Sequence, residues 1–415
     1  MALIQTLILY CSLFISLFFE VFLLITYLEV REEIGLEEKY MGRDIKQFPT
    51  VTIIVPCFNE EHTVNKTIKS ILNLDYPKEK LSVITVDDGS TDKTLRELKK
   101  FEKHPQISIL SKENGGKHTA LNLALGTVRS DLVGCLDADS FVNSDALRKI
   151  VPFFDDSSIM AVTPSIKVHE PKSILQYLQK VEYSWGIFLR RMLSSLGALY
   201  VTPGPFSIFR TIVFRELGGY RHGHQTEDLE IALRLQKNRY KIVNSHGAYV
   251  YTVAPKGLQA LYTQRVRWTY GFLNNAIDYR EMFFNKKYGH IGIFILPIAT
   301  SSIFSTLYII TNALWNNIVR VLSAITKFQT VGFNWKSSLP PFDWFFLNTG
   351  IVSFLTLSAV ILTFVILYLS VKLADGRFKL TRGIFYYLII YIFIVPLWLT
   401  KALVNTIFKR QISWR

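Results

Sequence analysis

Four stretches of the chain are almost wholly apolar. Between the first and the second lies a polar middle of short β-branched runs alternating with helical patterns. Ala2–Tyr27 carries a single charge, Glu20, and exceeds the ~20 apolar residues a spanning helix needs. No Lys or Arg precedes Arg31, so the basic start of a signal peptide is missing and the run reads as a retained anchor. Further spans are expected at Ile291–Asn312 (running on toward Leu322), Trp344–Val371 and Ile384–Phe408. In the middle, Val51–Pro56, Leu81–Val86, Ile107–Leu110 and Asp131–Leu136 read as strands. Helical patterns follow each of them, over Glu61–Leu74, Thr91–Glu102, Lys117–Leu125 and Ser144–Phe154. That alternation predicts an α/β domain with a mostly parallel sheet and crossover helices. Ligands of such sheets bind beyond the carboxyl ends of the strands.

Composition narrows the class. Of 415 residues, 49% are apolar and 19% charged, which excludes a disordered chain. Three cysteines, Cys11, Cys57 and Cys135, are too few for a disulfide framework. The net charge is +14, but residues 271–415 hold 14 Lys+Arg against 4 Asp+Glu. Basic residues that flank apolar runs indicate membrane contact, whereas a nucleic-acid binder carries them on a polar domain face. The middle segment and the turn Lys372–Arg382 hold most of the Lys and Arg, which places both on the cytoplasmic side with the N-terminus outside. The loop 323–343, with Lys327 and Lys336 only, then faces out, and the tail Lys409–Arg415 breaks the rule.

The strand ends carry the candidate chemistry. Pro56-Cys57-Phe58-Asn59-Glu60 follows the first strand, Asp87-Asp88-Gly89-Ser90 the second, Asn114-Gly115-Gly116-Lys117 the third and Asp137-Ala138-Asp139 the fourth. Carboxylates at three neighbouring ends repel one another unless a cation or a hydrogen-bonding ligand lies among them. Asp137 and Asp139 can be a solvated turn, or hard oxygen ligands suited to Mg²⁺ or Mn²⁺ with phosphate oxygens. Ser90 and Thr226 stand where helix N-caps are expected, and Lys117 follows two glycines at a helix start that could meet a phosphate. Neither a dinucleotide glycine fingerprint nor a Walker-type phosphate loop is present. The eight histidines show no metal-ligand spacing apart from His222-x-His224, expected on the loop before Thr226.

In this order, with Thr226-Glu227-Asp228 and Gln264-Arg265-Val266-Arg267-Trp268 further on, the sequence resembles the membrane-embedded, processive branch of the family 2 glycosyltransferases. These are inverting enzymes of the GT-A (Rossmann-like) fold, and the branch includes cellulose, chitin, hyaluronan and poly-N-acetylglucosamine synthases. The resemblance covers residues 50–270, and Q-x-x-R-W is its specific part. It implies that Pro56, Asn59, Glu60 and Asp88 line the nucleoside pocket of a UDP-sugar, with Lys117 and Asp137 nearby. Asp139 would hold Mg²⁺ or Mn²⁺ on the diphosphate. Asp228 would be the general base, supported by Glu227. Gln264, Arg267 and Trp268 would sit between donor diphosphate and acceptor on an amphipathic helix at the membrane surface. The implied organisation is a transmembrane helix at 2–28, a catalytic GT-A domain at 46–257, amphipathic interface helices at 258–289 and three transmembrane helices at 290–408. Implied partners are a UDP-sugar, a polysaccharide acceptor, the bilayer of the cell membrane and accessory or secretion subunits, with no nucleic acid.

Several readings stay open at this stage. A single-addition enzyme acting on a polyprenyl phosphate keeps the acidic motifs but usually lacks Q-x-x-R-W, and a transporter would need repeated polar spans. The donor sugar and the linkage are not legible. Thr202-Pro203-Gly204-Pro205-Phe206-Ser207, ahead of a predicted helix, resembles the acceptor-side loop of the synthases. The turn Asp375–Arg382 is either an ordinary positive-inside turn or a loose counterpart of their gating loop. Glu20, the only charge in the first span and nearer its cytosolic end, is expected to face protein or water. Its candidate partners are Arg320 or Lys401, with a polar face at Thr300–Thr306 and Thr311-Asn312, and the alternative is a carboxyl near the interface.

Overall fold

The computed structural model describes residues 2–40, 45, 47–331 and 350–410. Lys46, Lys336, residues 344–349 of the expected third span and the tail from Gln411 lie outside them. Helix α1 (Ala2–Tyr40) leads into a domain with one eight-stranded sheet. Its strands are β1 (Val51–Cys57), β2 (Leu81–Asp88), β3 (Ile107–Lys112), β4 (Leu132–Cys135), β5 (Ser140–Val142), β6 (Ile159–Val168), β7 (Ile208–Arg210) and β8 (Lys241–Thr252). They lie in the order β3-β2-β1-β4-β7-β6-β8-β5. The first four are parallel, and β7 joins β4 and β6 antiparallel. β6 and β8 run parallel, and β5 closes antiparallel on β8. β1 is apolar and buried on both faces, as a central parallel strand should be. Its Pro56 lies past the last pairing with β4 (Ile54 with Cys135), where a missing N–H is tolerated.

The crossover helices are α2 (Val64–Leu72), α3 (Thr94–Lys99), α4 (Lys117–Leu125) and α5 (Ala146–Ile150). α2 buries Val64, Ile68 and Ile71, spaced by four and three residues, against β1 and β2. The helix expected over Ser144–Phe154 is divided: Pro152 cannot supply an N–H, and a 3₁₀ turn over Val151–Asp155 follows α5. The expected cap Ser90 does not cap α3. Asp92 Oδ1 instead accepts from the Thr94 N–H at 2.8 Å, and Ser90 Oγ accepts from the Asn59 N–H at 3.0 Å. The Thr202–Ser207 loop leads into β7, not directly into a helix, because Ile208 and Phe209 fill the core beside β4.

α6 (Ile174–Ser195) opens with a capping box, Ser173 Oγ accepting from the Gln176 N–H. α7 (Ile212–Leu217), α8 (Glu227–Lys237) and α9 (Leu258–Asp278) follow, then α10 (Leu296–Val331), α11 (Ile351–Asp375) and α12 (Arg382–Ile407). Among the described residues four helical stretches are long and apolar enough to cross a membrane: Ile4–Glu32, Ile291–Thr330, Ile351–Asp375 and Arg382–Ile407. One sheet face packs on α2 and α5. The opposite face packs on α4 and α8, and its core continues into Ile291, Ile295 and Leu296 at the head of the second span. α6 joins the two regions, with Phe188 and Met192 packing on Leu23 and Ile366.

Glu20 meets neither Arg320 nor Lys401. Its Oε1 accepts from the Thr363 hydroxyl of α11 at 2.6 Å, because α1 packs along α11 there. Asp375, at the end of α11, lies 3.3 Å from Lys180 and 3.7 Å from Lys167, which ties the 375–382 turn to α6 and β6 of the sheet domain.

Candidate active site

The carboxyl ends of β1, β2 and β4 converge with the head of α8. Lys117, first residue of α4, reaches two carboxylates at once: Asp137 Oδ1 at 2.7 Å and Glu227 Oε1 at 2.8 Å. Burial opposes its charge, but Asp137, Glu227 and Asp228 raise its pKa well above the lysine range. The ion pair is therefore locked. Burial alone would push Glu227 up, yet Lys117 holds it below the usual carboxylate range. Asp228 is pushed up to about 6 by burial and by Glu227, against the pull of Lys117 and Arg267. It is half-buried and lines a small space with Lys117, Thr202, Pro203, Gly204 and Tyr220.

The backbone fixes these groups. Thr202 donates to the Asp228 carbonyl through its N–H at 3.2 Å and its hydroxyl at 2.8 Å. A Cβ at Gly204 would stand 2.7 Å from Lys117 Nζ and 3.0 Å from Asp137 Oδ2, so any other residue there would push on the ion pair as the loop passes it. Thr226, expected to cap α8 with its side chain, does not do so. Its hydroxyl donates to the Gly223 carbonyl at 2.8 Å, because the loop turns sharply at His224 and Gln225, both with positive φ. His222 lies on that loop with its ring 5.2 Å from His118, and His224 bonds Asp278 at 2.8 Å.

The residues expected on the nucleoside side are built into turns. Asn59, with φ 57°, accepts from the Thr91 N–H at 2.8 Å. Glu60 donates its N–H to Thr94 Oγ1 at 2.7 Å and accepts from the Thr63 hydroxyl at 2.7 Å. Asp88 accepts from Lys112 at 2.7 Å and from the Gly115 and Gly116 N–H groups at 3.1 and 2.9 Å, so it shapes the glycine loop ahead of Lys117. Asp139 is pushed up to about 7 by burial and then by the Asp137 and Glu60 carboxylates, opposed by the Ser140 hydroxyl. That mutual repulsion is what a divalent cation relieves, so the residues fit one. Among the described residues no three His, Cys, Asp or Glu side chains gather to hold a metal by themselves. Such an ion would complete its shell with phosphate oxygens and water.

α9 lies across the α8 loop. A Cβ at Gly271 would fall 2.3 Å from Thr226 Oγ1, and Asn275 donates to the Gly223 carbonyl at 2.8 Å. On this helix Arg267 Nη1 donates to the Gln225 carbonyl at 3.3 Å, and Trp268 is exposed. Sequence reasoning did not single out Arg265, which is buried, bonds Glu182 at 2.6 Å and lies 4.2 Å from the Trp268 ring centre. Its place inside the Q-x-x-R-W element was the available signal. Gln264 accepts from Arg265 at 2.7 Å and so belongs to the same group. Lys112 and Tyr220 were also missed, having no motif of their own, whereas Thr202 lies in the loop expected on the acceptor side.

Residues 52–218 match the sequence profile of Glycosyl transferase family 2. The chain is 28% identical over 268 residues to a poly-beta-1,6-N-acetyl-D-glucosamine synthase of Staphylococcus epidermidis, covering 64% of each. It is 30% identical over 256 residues to the synthase of that name from Staphylococcus aureus strain COL, covering 61% of each. The matched region thus spans under two thirds of both relatives. A solved mannosyltransferase from Pyrobaculum calidifontis, in complex with GDP-Man and Mn²⁺, shares the fold: TM-score 0.58, 19% identity, covering 95% of this chain and 99% of that one. Residues 52–218 thus carry a glycosyl transferase family 2 domain, and the chain around it is similar to poly-beta-1,6-N-acetyl-D-glucosamine synthases.

Proposed function

We propose that the chain is a processive inverting glycosyltransferase. It takes N-acetylglucosamine from UDP-N-acetylglucosamine, adds it to a growing β-1,6-linked polysaccharide and passes the polymer across the membrane through its own spans. The observation that carries this reading is the Asp228 carboxyl, half-buried beside the locked Lys117–Glu227 pair and facing the Thr202–Gly204 loop. Sugar and linkage follow the names of the similar synthases. The Gln264–Trp268 element favours polymer synthesis over single addition to a lipid phosphate.

In this mechanism Asp228 takes the proton of the acceptor hydroxyl as that oxygen bonds to the anomeric carbon. The carbon–oxygen bond to the diphosphate breaks, and UDP leaves with inversion. A positioned base contributes about 10²–10⁴-fold. Glu227 and Lys117 hold the base in place, and Arg267 offers positive charge to the leaving diphosphate. Asp139, with Asp137 beside it, would hold a divalent cation, which when bound supplies further charge stabilisation to the diphosphate. Asn59 and Glu60 stand at the nucleoside end. Trp268 offers a ring face to the acceptor sugar.

On the same reading residues 2–28 anchor the chain, 46–257 catalyse, 258–289 lie along the bilayer surface and 290–408 complete the spans. The Lys/Arg asymmetry supports a cytoplasmic catalytic domain. Purified full chain offered UDP-N-acetylglucosamine, UDP-glucose and GDP-mannose with Mg²⁺ or Mn²⁺ tests the donor. Nucleotide release is expected from UDP-N-acetylglucosamine alone, and to stop in EDTA. Release from GDP-mannose alone would overturn it.

A further inference from the structure

A second cavity, of about 570 Å³, lies outside the catalytic space, between α4, α7 and the loop 217–221. That volume is within the ~300–1,000 Å³ typical of small-molecule sites. Four arginines line it, Arg129, Arg215, Arg221 and Arg234, and no carboxylate does. Glu230, behind the wall, lies 2.8 Å from Arg234 and 3.6 Å from Arg221. Arg129 and Arg215 form no ion pair among the described residues, so the cavity keeps a positive excess.

The wall is built, not incidental. Buried Arg234 donates to the Leu217, Gly218 and Gly219 carbonyls at 2.8, 3.1 and 2.9 Å. Asn122 clamps Tyr220 by its N–H and its carbonyl, both at 2.8 Å. A Cβ at Gly219 would fall 2.3 Å from Asn122 Oδ1, so only glycine lets the loop lie this close. Within this frame two buried polar atoms have no partner among the described residues: Arg234 Nε and the hydroxyl of Thr211, a residue only 7% exposed. Arg234 is thus held as a fixed part of the wall, and the more exposed Arg129, Arg215 and Arg221 are the groups that an incoming anion meets.

We propose that this cavity binds a phosphate-bearing anion at a site separate from the sugar donor's. Guanidinium groups pair with phosphate oxygens in twos, and a carboxylate-free wall favours an anion with more than one negative charge. Tyr220 lines both this cavity and the space at Asp228, so an occupant bears on the wall of the catalytic site.

The phosphate can be a free anion or a lipid headgroup, and two arms separate the sources. Full-length protein in phosphatidylcholine nanodiscs with EDTA is titrated with inorganic pyrophosphate by calorimetry. A parallel set of nanodiscs contains phosphatidylglycerol, with melting temperature as the readout. The comparison is Arg129→Ala/Arg215→Ala, whose exposed side chains hold no part of the core. Basal transfer by this double variant should equal that of the parent, confirming an intact domain. Saturable pyrophosphate binding, weakened about tenfold or more in the double variant, supports a free anion. Stabilisation by phosphatidylglycerol that the double variant loses, without pyrophosphate binding, supports a headgroup. Equal responses of parent and double variant in both arms overturn the proposal.

Discussion

Lys117 holds Asp137 and Glu227 within 2.8 Å of one ammonium group, while the neighbouring Asp228 carboxyl is pushed up to about 6. Its pKa of about 6 sets the pH at which it becomes a base. Activity is expected to fall as pH drops through that value. Arg267 lowers this pKa, so Arg267→Met should shift the acid limb of the kcat/KM profile to higher pH; an unmoved limb would separate Arg267 from the base. In stability terms the sign is opposite to that of an ordinary salt bridge. The folded state keeps a proton that the unfolded chain loses near 3.8, so raising the pH from there to about 6 weakens the fold as the unfolded chain alone ionises. Asp228→Asn keeps the shape but cannot accept the proton. Turnover should drop by about 10²-fold or more while UDP binding stays near normal. Retained turnover would place the base elsewhere.

Among the elements, the parallel half of the sheet was legible because β1, β2 and β4 are continuous apolar runs and each ends in a polar motif. α4 begins and ends where its pattern does, at Lys117 and Leu125. The antiparallel half was not legible. β5 and β7 have three residues each, too few to show a period, and their pairings are set by tertiary contact. Caps were misread for the same reason: Ser90 and Thr226 have the right chemistry, but their hydroxyls serve Asn59 and Gly223. The α8–α9 crossing left no clear sequence sign apart from Gly271. Gly271→Val should cost about 1–3 kcal/mol by overpacking and lower turnover, since Thr226 cannot retreat. Melting temperature and kcat check this, and Thr226→Ala in the same chain should recover part of the loss. A variant with unchanged melting temperature and turnover would remove α9 from the positioning of Asp228.

Across the whole molecule, catalytic domain and apolar helices share one core, through α6 and through Ile291–Leu296. The four apolar runs were plain from composition, but Glu20's partner was not. Thr363 lies 343 residues away, and only the packing of α1 on α11 brings it near. A charged carboxylate at the centre of a span is costly on insertion scales, about 2.5–3.5 kcal/mol, which is why Glu20 turns to protein at Thr363 and not to lipid. If it lines the polymer's route, Glu20→Leu should give shorter product while transfer to short acceptors continues. Full-length product at the parent's rate would reduce Glu20 to a helix–helix contact. The central claim, polymer synthesis by a single chain with Asp228 as base, is tested most directly by product size. Purified full-length protein is given UDP-N-acetylglucosamine and Mg²⁺, and product is sized by mass spectrometry while most donor remains. The account predicts long β-1,6-linked chains alongside unextended acceptor, and none from Asp228→Asn. A single sugar on a lipid phosphate, with no longer species, would contradict it.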